Sequence, residues 1–113
     1  MCALERGILL SNKLVRDNIP DIITKSGKTP NTRILDNNEY FDELMKKLYE
    51  EIDEFKENHS PEELADIMEV LYAIARHTNN PTHLIEEIRA KKHKSNGGFE
   101  KRIFLESITD IDD

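Results

Sequence analysis

The chain has 113 residues, a size that suits one domain with its own core but not two. Charged residues make up 35% of it and aromatic residues 6%, which favours a thin helical core or an oligomer over a thick sandwich. The formal net charge of −7 argues against a general nucleic-acid binder, because such a protein needs a basic face to displace counter-ions from phosphates.

The beginning of the chain bears on the cellular compartment. Cys2 is the only cysteine, so we expect neither a disulfide framework nor a zinc cluster, and a reducing compartment fits. Glu5 and Arg6 interrupt the first apolar residues, which argues against a signal peptide. No apolar run approaches the length of a membrane span. We therefore expect a soluble, cytoplasmic protein with no membrane partner.

Residues 1–12 are predicted to be a loosely held N-terminal arm, followed by a short helix. Pro20 suits the first turn of that helix and Gly27 suits its C-terminal cap. The turn-rich stretch after it contains one brief extended piece, 33–35.

Three longer helices follow. Asn38 is the predicted N-cap of the first, over 39–58, and Ser60 with Pro61 begins the second, which runs to about 78. Asn80 and Pro81 begin the third, to about 94. The expected inward faces are Phe41, Leu44, Met45, Leu48, Ile52 and Phe55 on the first helix, and Leu64, Ile67, Met68, Leu71, Ile74 and Ala75 on the second.

The end of the chain is predicted to be mostly irregular. Residues 99–108 alternate enough for a short extended segment, and 106–113 form a frayed acidic tail. The sequence thus predicts a single all-α domain over 1–113: an antiparallel helix pair, additional helices and at most a minor strand pair.

Acidic side chains follow one edge of the two long helices. At 100° per residue, Glu51 and Glu54 flank the apolar face of the first helix, and Glu63 and Asp66 flank that of the second. Glu50, in contrast, points largely toward solvent. Two helices joined by a short turn pack antiparallel, so the four flanking carboxylates are expected to converge. Their repulsion would raise their pKa values unless a cation held them together, and an oxygen-only site suits Mg²⁺ or Mn²⁺.

Simpler roles are open for the same side chains. Ser60 followed by Glu63 is also a capping box. Pairing along the helix surface with Lys46 or Lys47 is equally open to the acids of the first helix.

The acidic centre contrasts with a basic segment at 89–102. Its cations suggest an anionic ligand near the acids, or they complement the C-terminal end of a helix dipole. The four histidines form no metal-ligand pattern, and we expect exposed or capping roles for at least three of them.

Four segments in order resemble a known family. "EEIDE" (50–54) followed by "ELAD" (63–66) matches the EExxE and ExxD motifs of the all-α nucleoside triphosphate pyrophosphohydrolases, the MazG-like and phosphoribosyl-ATP pyrophosphohydrolase-like group. "KLVRDNIPDII" (13–23) is similar to the opening of one MazG-like branch, and "KKHKSNGGFEKRI" (91–103) to its close. The spacing between the two acidic motifs is shorter than in MazG proper.

The resemblance implies Mg²⁺-dependent hydrolysis between the α and β phosphates of a nucleoside triphosphate, giving a monophosphate and pyrophosphate. Its motif positions make Glu51, Glu54, Glu63 and Asp66 the metal ligands. Glu50, Glu51 and Glu54 become the catalytic acids, with Glu50 as a candidate for positioning water.

The phosphates need cations besides the metal, since the acids would otherwise repel them. The expected clamps are Lys13, Arg16, Lys91 and Lys94, with Gly97 and Gly98 allowing close approach of the backbone. A local pair with Asp17 is the alternative for Arg16. Tyr40, Tyr72 or Phe99 either stacks on a base or belongs to the core.

The helix pair leaves apolar surface to cover, so we expect a homodimer or a tetramer built of dimers, as in the family. Two other functions remain open: phosphoribosyl-ATP as the substrate, and a non-catalytic helical oligomer that binds nucleotide or a protein partner.

Overall fold

The computed structural model describes residues 12–110 and contains, within them, four α-helices and no strand. The helices are α1 (Ile19–Lys25), α2 (Asn37–Asn58), α3 (Pro61–His77) and α4 (Thr82–Asn96). The predicted all-α class is confirmed, and neither 33–35 nor 99–108 forms a strand. Residues 1–11 of the predicted arm and 111–113 of the predicted tail lie outside the described residues.

The chain divides into two compact units, Met1–Asn79 and Asn80–Asp113. The first contains α1, α2 and α3, and the second contains α4. The expectation of one domain over the whole chain stays a prediction.

The start of α2 corrects the predicted N-cap. The cap is Asp36, not Asn38, because its carboxylate accepts a hydrogen bond from the Glu39 backbone N–H at 2.8 Å. The Glu39 side chain returns a bond to the Asp36 backbone N–H, which completes a capping box. Arg33 holds the same Glu39 carboxylate through two bonds of 2.8 and 3.1 Å, so the helix begins two positions before the one predicted.

The connection between α2 and α3 makes them antiparallel. His59 ends α2 in the left-handed conformation with φ 53°, and Ser60 caps α3, whose first turn contains Pro61 as predicted. So short a link leaves the second helix to fold back on the first. At the far end of the pair, the Tyr40 ring near the start of α2 meets the His77 ring at the end of α3, with centroids 4.9 Å apart. The predicted antiparallel pair is therefore confirmed.

The shorter helices follow their predicted signals closely. Pro20 lies in the first turn of α1, and Gly27, with φ 93°, follows the capping residue Ser26. This positive φ suits glycine, which has no Cβ to clash. Pro81 is the N-cap of α4 instead of its first residue, and α4 continues to Asn96, slightly beyond the predicted 94.

The core lies between α2 and α3 and is small. Its buried apolar side chains are Leu44, Val70 and Ala75. Val70 was not among the residues predicted to face inward. Leu64, Met68 and Leu71 were predicted to face inward but are 46–50% exposed. The apolar stripe of α3 is wider than the strip that a single neighbouring helix covers, so part of it remains at the surface.

The described part of the chain, 12–110, contains no helix that combines the length and the apolar character needed to cross a membrane.

Candidate functional site

Carboxylates from α2 and α3 meet near the turn that joins the helices. Glu51, Glu63 and Asp66 each place one oxygen within 4.8 Å of the other two. Glu50, Glu51 and Glu54 form a second group with the same spacing, so Glu51 belongs to both. The structure thus brings together all four carboxylates that the sequence proposed as metal ligands, here called the acidic cluster: Glu51, Glu54, Glu63 and Asp66.

Two oxygens of the acidic cluster are buried without a partner. Glu51 is only 6% exposed, an unusual burial for a carboxylate. Its Oε2 atom and the Oε2 atom of Glu63 are shielded from solvent and accept no hydrogen bond from any described residue. Leaving an acceptor of this kind unsatisfied costs free energy, which a bound cation would offset.

The surroundings raise the pKa of both buried carboxyls. For Glu51 the largest cause is burial, followed by the neighbouring Glu54 carboxyl, while the Lys47 ammonium acts in the opposite direction. For Glu63 burial again comes first, followed by Glu54 and Asp66. Burial and like-charge repulsion both disfavour the ionised form, and a divalent cation in the cluster would reverse this preference.

Lys47 provides part of the charge compensation. Its Nζ atom lies 3.4 Å from Glu50 Oε1 and 3.5 Å from Glu51 Oε1. The alternative of pairing along the helix surface is therefore observed for Lys47, while Lys46 pairs with Glu43 at 3.0 Å. Lys47 nevertheless leaves Glu51 Oε2 unpartnered, so surface pairing does not account for the whole cluster.

The capping alternative accounts for only part of Glu63. Ser60 Oγ accepts a hydrogen bond from the Glu63 backbone N–H at 3.3 Å, which is an N-cap contact. The Glu63 side chain still has an unpartnered buried oxygen. The cap thus fixes the first turn of α3, which contains Glu63.

Glu50 is more enclosed than its position on the helical wheel suggested. It was expected to face solvent, but its side chain is half-buried and pairs with Lys47. With Glu54 it also lines a shallow, open groove along the outer face of α2. The lining residues are Lys46, Tyr49, Glu50, Asp53, Glu54 and Glu57. Tyr49 was missed at the sequence level, although the i, i+3 and i+4 spacing of these residues places them on one face of the helix.

Arg16 contacts the acidic cluster directly. Its Nη2 atom donates a 2.7 Å hydrogen bond to Asp66 Oδ1. The sequence proposed Arg16 as a phosphate clamp and offered Asp17 as the alternative partner, and the partner in the structure is Asp66. Lys13 lies in the same segment, exposed, and forms no ion pair with any described residue.

The other four proposed substrate-binding residues belong to the second compact unit. Lys91 and Lys94 are exposed on α4, Gly97 is its C-terminal cap with φ 85°, and Gly98 follows. Lys94 lies in the last turn of α4, where a cation also stabilises the helix dipole. Their role as phosphate clamps stays a prediction.

Some of the histidine and aromatic side chains pack against other rings, and others are exposed. His59 ends α2, and His83 and His93 are exposed on α4, as expected for at least three of the four histidines. His77 packs against Tyr40 and Phe41 instead. Phe99 is 94% exposed, so it is not a core residue of the described chain.

Comparisons with known proteins give one partial match. No family model matches the chain, and no solved structure matches it significantly. A protein of Mycolicibacterium smegmatis (strain ATCC 700084 / mc(2)155), described only as an uncharacterized protein, is 48% identical over 44 residues. The match covers 39% of this chain and 45% of that protein, so the chain spans less than half the length of this relative. The resemblance to the MazG-like family therefore stays a prediction that rests on the sequence motifs alone.

Proposed function

We propose that the protein is a Mg²⁺-dependent nucleoside triphosphate pyrophosphohydrolase. One observation carries the proposal: Glu51 and Glu63 meet between α2 and α3 with a buried, unpartnered oxygen on each, beside Glu54 and Asp66. Burying carboxylates together is unfavourable for a protein that does not use them to hold a cation.

The residues present fit a hard divalent cation. The acidic cluster offers oxygen donors only, with no histidine or cysteine among them, and this donor set suits Mg²⁺, or Mn²⁺, better than zinc. Glu51, Glu54, Glu63 and Asp66 would hold the metal. When bound, it would neutralise the triphosphate and lower the pKa of an attacking water.

The chain's own side chains supply the remaining requirements of the reaction. Glu50 and Glu54 face the open groove, where a carboxylate can orient a water molecule and accept its proton. Arg16 and Lys13 are exposed cations on the segment before α1, suited to the phosphate oxygens. Lys91, Lys94, Gly97 and Gly98 are assigned to phosphate binding on the resemblance alone.

The substrate and the reaction class can be tested together. The purified protein is incubated with a panel of standard and modified nucleoside triphosphates and with phosphoribosyl-ATP, in Mg²⁺ or in EDTA. We expect pyrophosphate release that requires Mg²⁺ and is lost in Glu51→Gln, while Asp42→Asn, an exposed position on the same helix outside both the acidic cluster and the groove, retains it. Release from phosphoribosyl-ATP alone would select the second candidate substrate.

We further propose a cytoplasmic homodimer or a tetramer built of dimers. Leu64, Met68 and Leu71 form a half-exposed apolar row on α3, and a second copy that covers it would gain hydrophobic stabilisation. The same row supports the competing function, a non-catalytic helical oligomer that binds nucleotide or a protein partner. If the folded protein hydrolyses none of the nucleotides in the panel, that alternative is favoured.

A further inference from the structure

Within the part of the chain that the structure describes, two cations touch the acidic carboxylates, and they differ in their surroundings. Lys47 extends from within α2 and is largely buried beside Glu50 and Glu51. Arg16 extends from the irregular segment before α1 and reaches Asp66, fifty positions further along the chain. Its side chain is 58% exposed, so the guanidinium lies between the acidic cluster and solvent.

The Arg16–Asp66 contact is a single-point ion pair. One Nη2–Oδ1 bond of 2.7 Å joins the side chains. Arg33 and Arg89, in contrast, each hold a glutamate through two bonds. Paired bonds give an arginine–carboxylate contact its geometric specificity and much of its strength. As far as residues 12–110 are concerned, Arg16 therefore keeps most of its five N–H donors available for another anion.

The backbone around Arg16 leaves this side chain free to change partners. Among the described helices, the backbones of α2 and α3 run close together, whereas the backbone of α1 comes close to neither. Moving the Arg16 guanidinium away from Asp66 thus requires no repacking of a core. Asp66 in turn has one oxygen within 4.8 Å of Glu51 and Glu63, so the carboxylate that Arg16 holds is one that the cluster needs for a cation.

We propose that Arg16 is an exchangeable counter-ion. It pairs with Asp66 while the acidic cluster is empty of metal, and it is released to bind the anionic ligand when Asp66 turns to the cation. The exchange rests on the proposed function, because it assumes a divalent cation at the cluster. It makes Arg16 a ligand-binding residue that links loading of the cation to capture of a polyphosphate.

The exchange makes two predictions of opposite sign for Arg16→Gln. Removing the competing positive charge should tighten Mn²⁺ binding, whereas removing the released donor should weaken polyphosphate binding. An exposed ion pair of this kind corresponds to about a two- to fivefold change in each dissociation constant. If Arg16 served only to tether its segment to Asp66, Arg16→Gln would have a lower melting temperature, and its Mn²⁺ binding would be unchanged or weaker.

The experiment uses the full chain and two probes. Mn²⁺ binding is measured by electron paramagnetic resonance in the absence of nucleotide, and inorganic tripolyphosphate binding by calorimetry at saturating Mg²⁺. Arg16→Gln is compared with Arg33→Gln, which removes the same charge from another exposed ion pair, and with Arg16→Lys, which keeps the charge. We expect both shifts in Arg16→Gln only, and a Mg²⁺-dependent movement of the Arg16 Nε–H resonance in the wild type.

The outcomes separate this proposal from the one on which it rests. If the wild type binds Mn²⁺ but Arg16→Gln binds it no more tightly, the exchange is wrong and the metal site stands. If tripolyphosphate binds the wild type and Arg16→Gln equally, the released guanidinium is not its partner and the exchange is again wrong. If the wild type binds no Mn²⁺, the proposed function fails and the exchange fails with it.

Discussion

Glu51 on α2 and Glu63 on α3 place carboxylate oxygens within 4.8 Å of each other, and each keeps its Oε2 atom buried without a hydrogen-bond donor among residues 12–110. Glu54 and Asp66 add two more carboxylates, with Lys47 and Arg16 as the cations in contact. The site is therefore short of positive charge, and this shortage leads to measurable consequences for stability and for binding.

Stability should depend on pH through Glu51 and Glu63. Both have a pKa raised above the ordinary value of 4.5. Near pH 4.5 and below, the neutral form that the fold prefers is populated, so this contribution is fully present. It is lost as the pH rises through the raised folded-state values. We expect the metal-free wild type to lose free energy of unfolding as the pH rises above the ordinary glutamate value of 4.5, relative to the Glu51→Gln, Glu63→Gln double variant.

Urea unfolding in EDTA over a series of pH values measures this loss of unfolding free energy. In Mg²⁺, we expect most of the loss to disappear. A constant difference between wild type and double variant across the pH range would show that the two carboxyls are not destabilised in the folded chain.

Mg²⁺ should stabilise the wild type and not Glu51→Gln. A ligand that binds only the folded state adds about 2.7 kcal/mol at a free concentration about 100 times its dissociation constant. Thermal unfolding with increasing Mg²⁺ detects this gain. Asp42→Asn removes the same charge from an exposed position on α2, outside the groove, and should respond to Mg²⁺ as the wild type does. An equal Mg²⁺ response in Glu51→Gln would place the cation elsewhere.

Removing the N-cap side chain of α2 or of α3 should lower the free energy of unfolding by a similar amount, but the two changes should differ in their effect on Mg²⁺ binding. Asp36→Ala and Ser60→Ala each remove a side-chain acceptor from a helix start, at a cost of about 1 kcal/mol. Only Ser60 caps the turn that contains Glu63, so only Ser60→Ala should also weaken Mg²⁺ binding. Denaturant unfolding and calorimetry on both variants check the two parts. Equal Mg²⁺ affinity in both would show that the α3 cap does not position Glu63.

The apolar row on α3 should control self-association. Met68, 50% exposed, lies between Leu64 and Leu71 in that row, so Met68→Lys would bury a charge in the proposed contact. We expect a lower mass by light scattering with helical content retained by circular dichroism. Ile34→Lys, at a more exposed position outside the helices, should leave the mass unchanged. An unchanged mass for Met68→Lys would exclude this row as the contact.

The sequence predicts the helix pair and the acidic cluster because both depend on local spacing. Ser60 with Pro61 marks the start of α3, and the i, i+3 spacing of the acids places them along one edge of each helix. The start of α2 was misplaced because Asn38 and Asp36 are both good caps, and only the Asp36–Glu39 spacing distinguishes them.

Features that depend on tertiary packing were not predictable in this way. Val70 is buried, whereas Leu64, Met68 and Leu71 are half-exposed, because of the way α3 is rotated against α2. The apolar stripe of α3 is wider than the surface that α2 covers, so the sequence pattern alone does not determine this rotation. The Arg16–Asp66 pair joins residues that no sequence periodicity relates. Glu50 was expected to face solvent because a helical wheel gives only the direction of each residue. It does not show that the long Lys47 side chain reaches the Glu50 carboxylate.

The most direct test of the proposed function follows the reaction products by ³¹P nuclear magnetic resonance. The best nucleotide of the panel is incubated with the wild type in Mg²⁺, with the wild type in EDTA, and with Glu54→Gln in Mg²⁺. The account predicts nucleoside monophosphate and pyrophosphate in the first sample only. Nucleoside diphosphate and orthophosphate as products, or equal turnover by Glu54→Gln, would contradict hydrolysis between the α and β phosphates at the acidic cluster.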